Sequence, residues 1–397
     1  MKRWMLAAAV LGILTGCQTT DQKALREQSI KRWYTARAEV LCGLGREHLK
    51  VGQLDSAAKV GREALALEAN CVNAHVLLGK VYIEQGLYAQ AESELRAAAE
   101  LQSSSAEIHY LLGVAQEKAG EMEEALASYR RSLELDSSYT DAILAIGEVL
   151  AETDKVEEAL TYAETNMKVA GNQPGIYELA GRLATMLKDY GKAEKYYQLA
   201  TDLDYGNPYY LDALAQSQFM AGHADRAQET LRKLVAIPGH GNRASVHVRL
   251  GDCLLATGRA AEARDEYLCA GELAPDNAAA WTGLTRAYLA LSDVNRASLA
   301  AKEALKADGL NSEASMVLGY ALLRSGQIAQ AISVLSRAAS AHPNDAMLIC
   351  LLGRAHAAAG NTDQARKCYD AALKLEPGNQ LAKTLLAGGE QRAAPTE

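Results

Sequence analysis

Residues 278–311 read AAAWTGLTRAYLALSDVNRASLAAKEALKADGLN. Trp281, Leu284, Thr285 and Tyr288 follow at steps of three, one and three, which is one stripe of an α-helix. After a break near Ser292, a second stripe runs Ala297, Ala301 and Ala304. Small residues on both stripes let two antiparallel helices approach closely. A pair this short cannot bury its apolar stripe alone, so it predicts stacking against neighbours of the same kind.

The neighbours are there. Working outward, the Leu284-Thr285 pair recurs as Leu44-Gly45, Leu78-Gly79, Leu112-Gly113, Ile146-Gly147, Ala180-Gly181, Leu214-Ala215, Leu250-Gly251, Leu318-Gly319 and Leu352-Gly353. The spacing is 34 residues, except for 36 between Ala215 and Gly251. An Ala follows twelve residues after each pair, from Ala57 to Ala365, in all ten copies. Position 15 of the unit is Gly in seven of them. Six of the seven Pro fall at predicted helix ends and Pro395 in the tail, so none breaks a helix interior.

This pattern resembles the tetratricopeptide repeat, W-x₂-L-G-x₂-Y, then A-x₃-F, then P. The aromatic positions are degenerate: the first is Trp only at Trp281, and His75, His109 and His247 replace it. The resemblance implies an all-α right-handed superhelix, an α-solenoid of ten helix-turn-helix repeats with capping helices. Repeats 1–6 span 38–243 and repeats 7–10 span 244–379. A cap is expected over 21–37, where Leu25, Ile30, Trp33 and Tyr34 mark a basic amphipathic helix. A second is expected within 380–397, ending in a frayed tail. The two extra residues fall around 237–242, a Gly-rich loop that is either a hinge or an insertion without a role.

The N-terminus carries a different message. Lys2 and Arg3 precede an apolar run over 4–14, then Thr15-Gly16-Cys17. A basic head, a short apolar segment and small residues make a secretory signal over 1–16. Leu14-Thr15-Gly16-Cys17 resembles a bacterial lipobox, which implies lipidation at Cys17 on a mature chain whose tail covers 17–37. Gln18 follows, which in the sorting rule of such lipoproteins implies export to the outer membrane, facing the periplasm.

Composition narrows the function. The 397 residues are 49% hydrophobic and 23% charged, which excludes a disordered chain. A net charge of −8 argues against nucleic acid, which requires a basic footprint. No G-x-S-x-G, P-loop, H-E-x-x-H or C-x-x-C occurs, so no catalytic residue, metal site, cofactor or small-molecule substrate is expected. The six Cys beyond Cys17 fall two to a repeat, with disulfides and buried thiols both open.

A binding surface remains. In the resembled family, positions 2, 5, 9, 12 and 13 of the first helix line a concave groove. Here they give an acidic patch in repeats three and four: Glu107, Glu117, Lys118, Asp141, Glu148 and Glu152. They then give Arg182, Met186, Tyr209, Phe219, Met220, Val248, Leu255, Arg286 and Tyr320. The expected partners are proteins docking an apolar or amphipathic segment there, with the membrane touched through the lipid anchor alone. A lipoprotein signal with such repeats is similar in organisation to pilotins of type IV pili and to secretion or polysaccharide-export lipoproteins. That implies a non-enzymatic scaffold for envelope assembly. An adaptor regulating peptidoglycan or polysaccharide enzymes is the alternative.

Overall fold

The computed structural model describes the backbone of residues 2–393 and the side chains of 22–387. Among these residues every regular element is an α-helix. The chain divides into two compact units, one ending at Lys188 and the other starting at Asp189.

The first unit holds α1 (Lys2–Lys50), α2 (Leu54–Leu67), α3 (Val72–Glu84), α4 (Tyr88–Leu101), α5 (Ala106–Ala119), α6 (Met122–Leu135), α7 (Thr140–Glu152), α8 (Val156–Ala170) and α9 (Pro174–Met186). The second holds α10 (Tyr190–Leu203), α11 (Pro208–Met220), α12 (Ala224–Val235), α13 (Ala244–Ala256), α14 (Ala260–Leu273), α15 (Ala278–Ala290), α16 (Val294–Ala307), α17 (Ser312–Arg324), α18 (Ile328–Ala341), α19 (Ala346–Ala358), α20 (Thr362–Leu375) and α21 (Gln380–Ala393). Within each unit consecutive helices pack on one another, and from repeat two onward each first helix starts where the period places it.

The invariant Ala explains the packing. All ten, from Ala57 to Ala365, are buried. Four residues after Ala263, the ring of Tyr267 packs onto glycines that could bear no side chain. A Cβ on Gly251 would lie 2.7 Å from the Tyr267 ring, and one on Gly283 only 2.2 Å from it. Interiors packed at crystal density leave no slack for such overlap.

Turns are equally systematic. The seven Gly at position 15 all have positive φ. In the three copies lacking Gly, Asp154, Lys188 and Ser292 adopt φ near +60° instead. A side chain there carries a left-handed penalty that Gly avoids. Lys188→Gly and Ser292→Gly should therefore each stabilise the fold by about 0.5–1 kcal/mol in urea denaturation. No gain, or a loss, would show that the turn is not strained.

His75, His109 and His247 stand where Trp281 stands, and the structure shows why. Their Nε2 atoms bond the carbonyls of Ala69, Ser103 and Gly241, and Trp281 Nε1 donates to the Pro275 carbonyl at 2.9 Å. Each acceptor lies six residues earlier in the preceding turn. In these four copies a ring nitrogen ties the first helix to the preceding turn, which gives the three His a structural role.

Two expectations at the ends part ways. Helix α21 does cap: Ala382 is buried against Ala346, Cys350 and Tyr369. At the other end there is no separate cap. The 21–37 segment continues straight into the first helix of repeat one, and side chains 22–37 are exposed. Because α1 runs unbroken from Lys2 to Lys50, this segment does not fold back on the array. The loop at 237–242 joins α12 to α13, whose Leu231, Leu234, Val246 and Leu250 share one core. The division between units falls elsewhere, inside repeat five. Lipidation at Cys17 and fraying over 388–397 concern side chains outside those described.

The six described Cys are free thiols. Cys42 and Cys71 face each other at 3.9 Å in a buried pocket of repeat one. Burial pushes the Cys42 thiol up to about 12 and that of Cys253 up to about 11. Their unfolded values lie near 9, so the folded state holds these protons longer. Their contribution is complete below pH 9 and is lost progressively as pH rises from 9 through the folded values of about 11 to 12. For Cys42 alone this costs on the order of 2 kcal/mol at pH 10.5. Denaturation at pH 8 and pH 10.5 should show that loss, and Cys42→Ala should reduce it. An unchanged pH dependence in the variant would contradict the assignment.

Candidate functional site

First helices of successive repeats stand side by side, so residues 34 apart in sequence meet. In the first unit Asn73 Nδ2 donates to Glu39 at 2.8 Å, and Arg182 Nη2 donates to Glu148 at 2.8 Å. Lys80 Nζ reaches Glu107 at 2.6 Å. Between repeats three and four, Glu117, Asp141 and Glu148 all lie near enough to Tyr110 to act on its phenol, so the acidic residues of the two repeats share one surface.

Its carboxylates are only partly neutralised. Glu107, Glu117 and Glu148 pair with Lys80, Lys118 and Arg182. Among the described residues Asp141 and Glu152 have no ion-pair partner. Three tyrosines that the groove positions alone did not single out stand among them. The Tyr110 ring lies 5.8 Å from that of Tyr129 and 5.3 Å from that of Tyr139. Tyr129 Oη donates to Glu117 at 2.7 Å. Burial, and then Asp141, Glu117 and Glu148, raise the Tyr110 phenol, which stays protonated as a donor. Tyr139 is pushed up to about 12 by burial and then by Glu107 and Asp141. The patch offers a cationic segment unpaired carboxylates beside aromatic faces.

Met186 is exposed on α9 of this unit. Arg182 is not a free cation: Glu148 and Glu178 flank it at 2.8 and 3.4 Å. A cleft of about 630 Å³ also opens in the first unit, lined by Arg130, Ile146, Leu150, Glu157, Thr161 and Tyr162 among others. Groove positions do not include it.

In the second unit the expected apolar anchors are split. Tyr209, Phe219 and Met220 are surface residues of α11, with Phe219 37% exposed. Val248 is not: at 9% exposure it belongs to the core between α11 and α14. Leu255 is half-buried against the same core. The reason is the 3.6-residue period. Position 5 lies beside the core stripe, and a β-branched Val there is short enough to be drawn in. Leu289 and Met347 are exposed and extend the apolar surface along α15 and α19.

Arg286 is likewise engaged. Its Nη2 donates to Asp252 at 3.0 Å, and Glu313 lies 3.6 Å from its Nε. Asp252 also accepts from Tyr267 Oη at 2.6 Å, so a buried tyrosine, a carboxylate and an arginine form one chain out of the core. Arg354 stacks over the Tyr320 ring at 5.7 Å. Arg249 pairs with Asp212. One signal could have found these pairs in advance: Glu148 and Arg182, and Asp252 and Arg286, are opposite charges one repeat length apart.

Among the described residues no cluster of three His, Cys, Asp or Glu could hold a metal ion. None of the helices searched there is long and apolar enough to cross a membrane.

Comparison with known proteins agrees with this geometry. One tetratricopeptide-repeat family model matches residues 42–106 and 77–140, and another matches 174–207. The C-terminal domain of cilia and flagella-associated protein 70 matches 208–395. No curated protein matches the chain. Among solved structures, a tetratricopeptide repeat protein from Parabacteroides merdae is 18% identical, with a TM-score of 0.43, over 64% of this chain and 99% of its own. Pseudomonas aeruginosa pilF is 22% identical, with a TM-score of 0.45, over 52% of this chain and 94% of its own. MamA is 25% identical, with a TM-score of 0.37, over 40% and 94%. With the period, the crossing residues and the family matches in agreement, the chain belongs to the tetratricopeptide-repeat family, whose repeats serve as protein-binding scaffolds.

Proposed function

We propose that the protein is a non-enzymatic scaffold that docks partner proteins on the concave, first-helix faces of its repeats, held to the outer membrane by a lipid on Cys17 and serving assembly of envelope machinery. The observation that carries the docking surface is the exposed set Tyr209, Phe219 and Met220 on one helix. Most apolar residues on the first helices of these repeats are withdrawn into the core, and burial of large apolar side chains is favourable. An exposed aromatic and methionine cluster suits an amphipathic segment of another protein. The acidic surface around Asp141 and Glu152 suits a cationic one. The envelope part of the reading rests on the sequence, where the basic head, apolar run and Leu14-Thr15-Gly16-Cys17 resemble a lipoprotein signal.

Two experiments test it. Cys17→Ser should move the protein from the membrane fraction to a soluble or unprocessed form. Retention on membranes after a high-salt wash would refute the lipid anchor. Capture on the immobilised chain from detergent-solubilised envelope should return pilus, secretion or export components. Recovery of hydrolases or synthases instead would refute the assembly role and favour the adaptor.

A further inference from the structure

One apolar surface is left uncovered by the repeat itself. Leu44 occupies the repeat position where Leu78, Ile146, Leu214 and Leu284 are buried, yet it is 48% exposed because no repeat precedes it. It belongs to a row along α1: Arg26, Ile30, Trp33, Arg37, Val40, Leu44, Glu47 and Val51, the last just past the helix end. The steps are four, three, four, three, four, three and four, the seam of a two-helix coiled coil. All eight residues are exposed, while Ala38 and Cys42 on the opposite side bury into repeat one.

We infer that this seam pairs α1 with α1 of a second copy of the chain, antiparallel, about a two-fold axis beside residue 42. In that register Val40 faces Leu44 of the second copy, Trp33 faces Val51 and Arg37 faces Glu47, each contact occurring twice. A surface that is complementary to itself in this way is what a closed two-fold interface requires. The register one heptad away would set Arg37 against Val40 and Glu47 against Ile30, leaving both charges in the seam without an opposite charge, which is costly.

A lipid surface fits the row less well. An interfacial helix keeps its charges on the face away from the acyl chains. Here Arg37 and Glu47 lie within the apolar stripe, where a second helix can pair them and a bilayer cannot. Arg37 already stacks over Trp33 at 5.1 Å, and Glu47 meets Lys50 at 2.8 Å on the surface, so both are held beside the seam. The inference is independent of the docking surface on α11.

The test is a charge swap on the full chain in nonionic detergent, with mass read by density-matched sedimentation equilibrium. The wild type should sediment at twice the mass of one chain at micromolar concentration. Arg37→Glu alone and Glu47→Arg alone should each weaken the dimer at least about tenfold by placing like charges in contact twice. The double variant should restore it, and Arg26→Glu should leave it unchanged. These residues are exposed, so helical content should be the same in all variants. A monomeric wild type, or a double variant weaker than both singles, would overturn the proposal. So would a monomer that floats with phosphatidylglycerol vesicles, less with Arg37→Glu and more with Glu47→Arg, because that pattern assigns the row to a lipid surface.

Discussion

Replacing Tyr267 by Ala should lower the stability of the second unit by about 3–5 kcal/mol. The ring is fully buried and fills the space left by Gly251 and Gly283 on two successive first helices. Nothing else can enter that space without moving a helix, so the cavity would persist. The substitution also removes the hydroxyl that donates to Asp252. Tyr267→Phe isolates that second loss and should cost only about 1 kcal/mol, because Arg286 still satisfies the carboxylate. Neighbouring repeats stabilise one another. The Ala variant should therefore melt in two steps, with the second unit first, when followed by circular dichroism. A single transition lowered by less than about 1 kcal/mol would mean that the crossing is held by backbone contacts rather than by this ring.

The second large effect concerns binding. Phe219→Ala should reduce recovery of envelope proteins on the immobilised chain at least tenfold, since central aromatic anchors are worth about 2 kcal/mol or more. Stability should fall by no more than about 1 kcal/mol, because the side chain is more than one-third exposed. Undiminished capture would remove Phe219 from the docking surface. A loss of 3 kcal/mol in stability would make it a core residue.

Much of the fold is written in the chain as a period. Thirty-four-residue recurrence, the Ala at the crossing and Pro outside helix interiors are local features, and the helices begin where they place them. What the period could not convey is what happens where it stops. The segment at 21–37 has the composition of a cap, yet no Gly or Pro interrupts it before the first repeat, so it forms one helix with that repeat's first helix. Position 15 illustrates the same limit. Asp154, Lys188 and Ser292 look like lost glycines, but the chain keeps the left-handed turn because packing on both sides requires it.

The candidate site was legible in part. Groove positions placed Tyr209, Phe219, Met220 and Met186 on the surface, where they are. They also put Val248 there, although one position beside the core stripe is enough to bury a short side chain. Arg182 and Arg286 read as groove positions in a linear sequence. Contact with Glu148 and Asp252, each 34 residues away, turns them into ladder rungs. Tyr129 and Tyr267 sit on second helices and reach carboxylates of first helices, a connection that face positions alone do not reveal.

The most direct test of the scaffold reading is site-specific photo-crosslinking in intact envelope. A benzophenone side chain at 219 would probe the first-helix face, and one at 299 an exposed apolar position of a second helix. The account predicts a discrete covalent adduct with another protein from 219 and none from 299. Adducts from 299 but not 219, or equal smears from both, would contradict it.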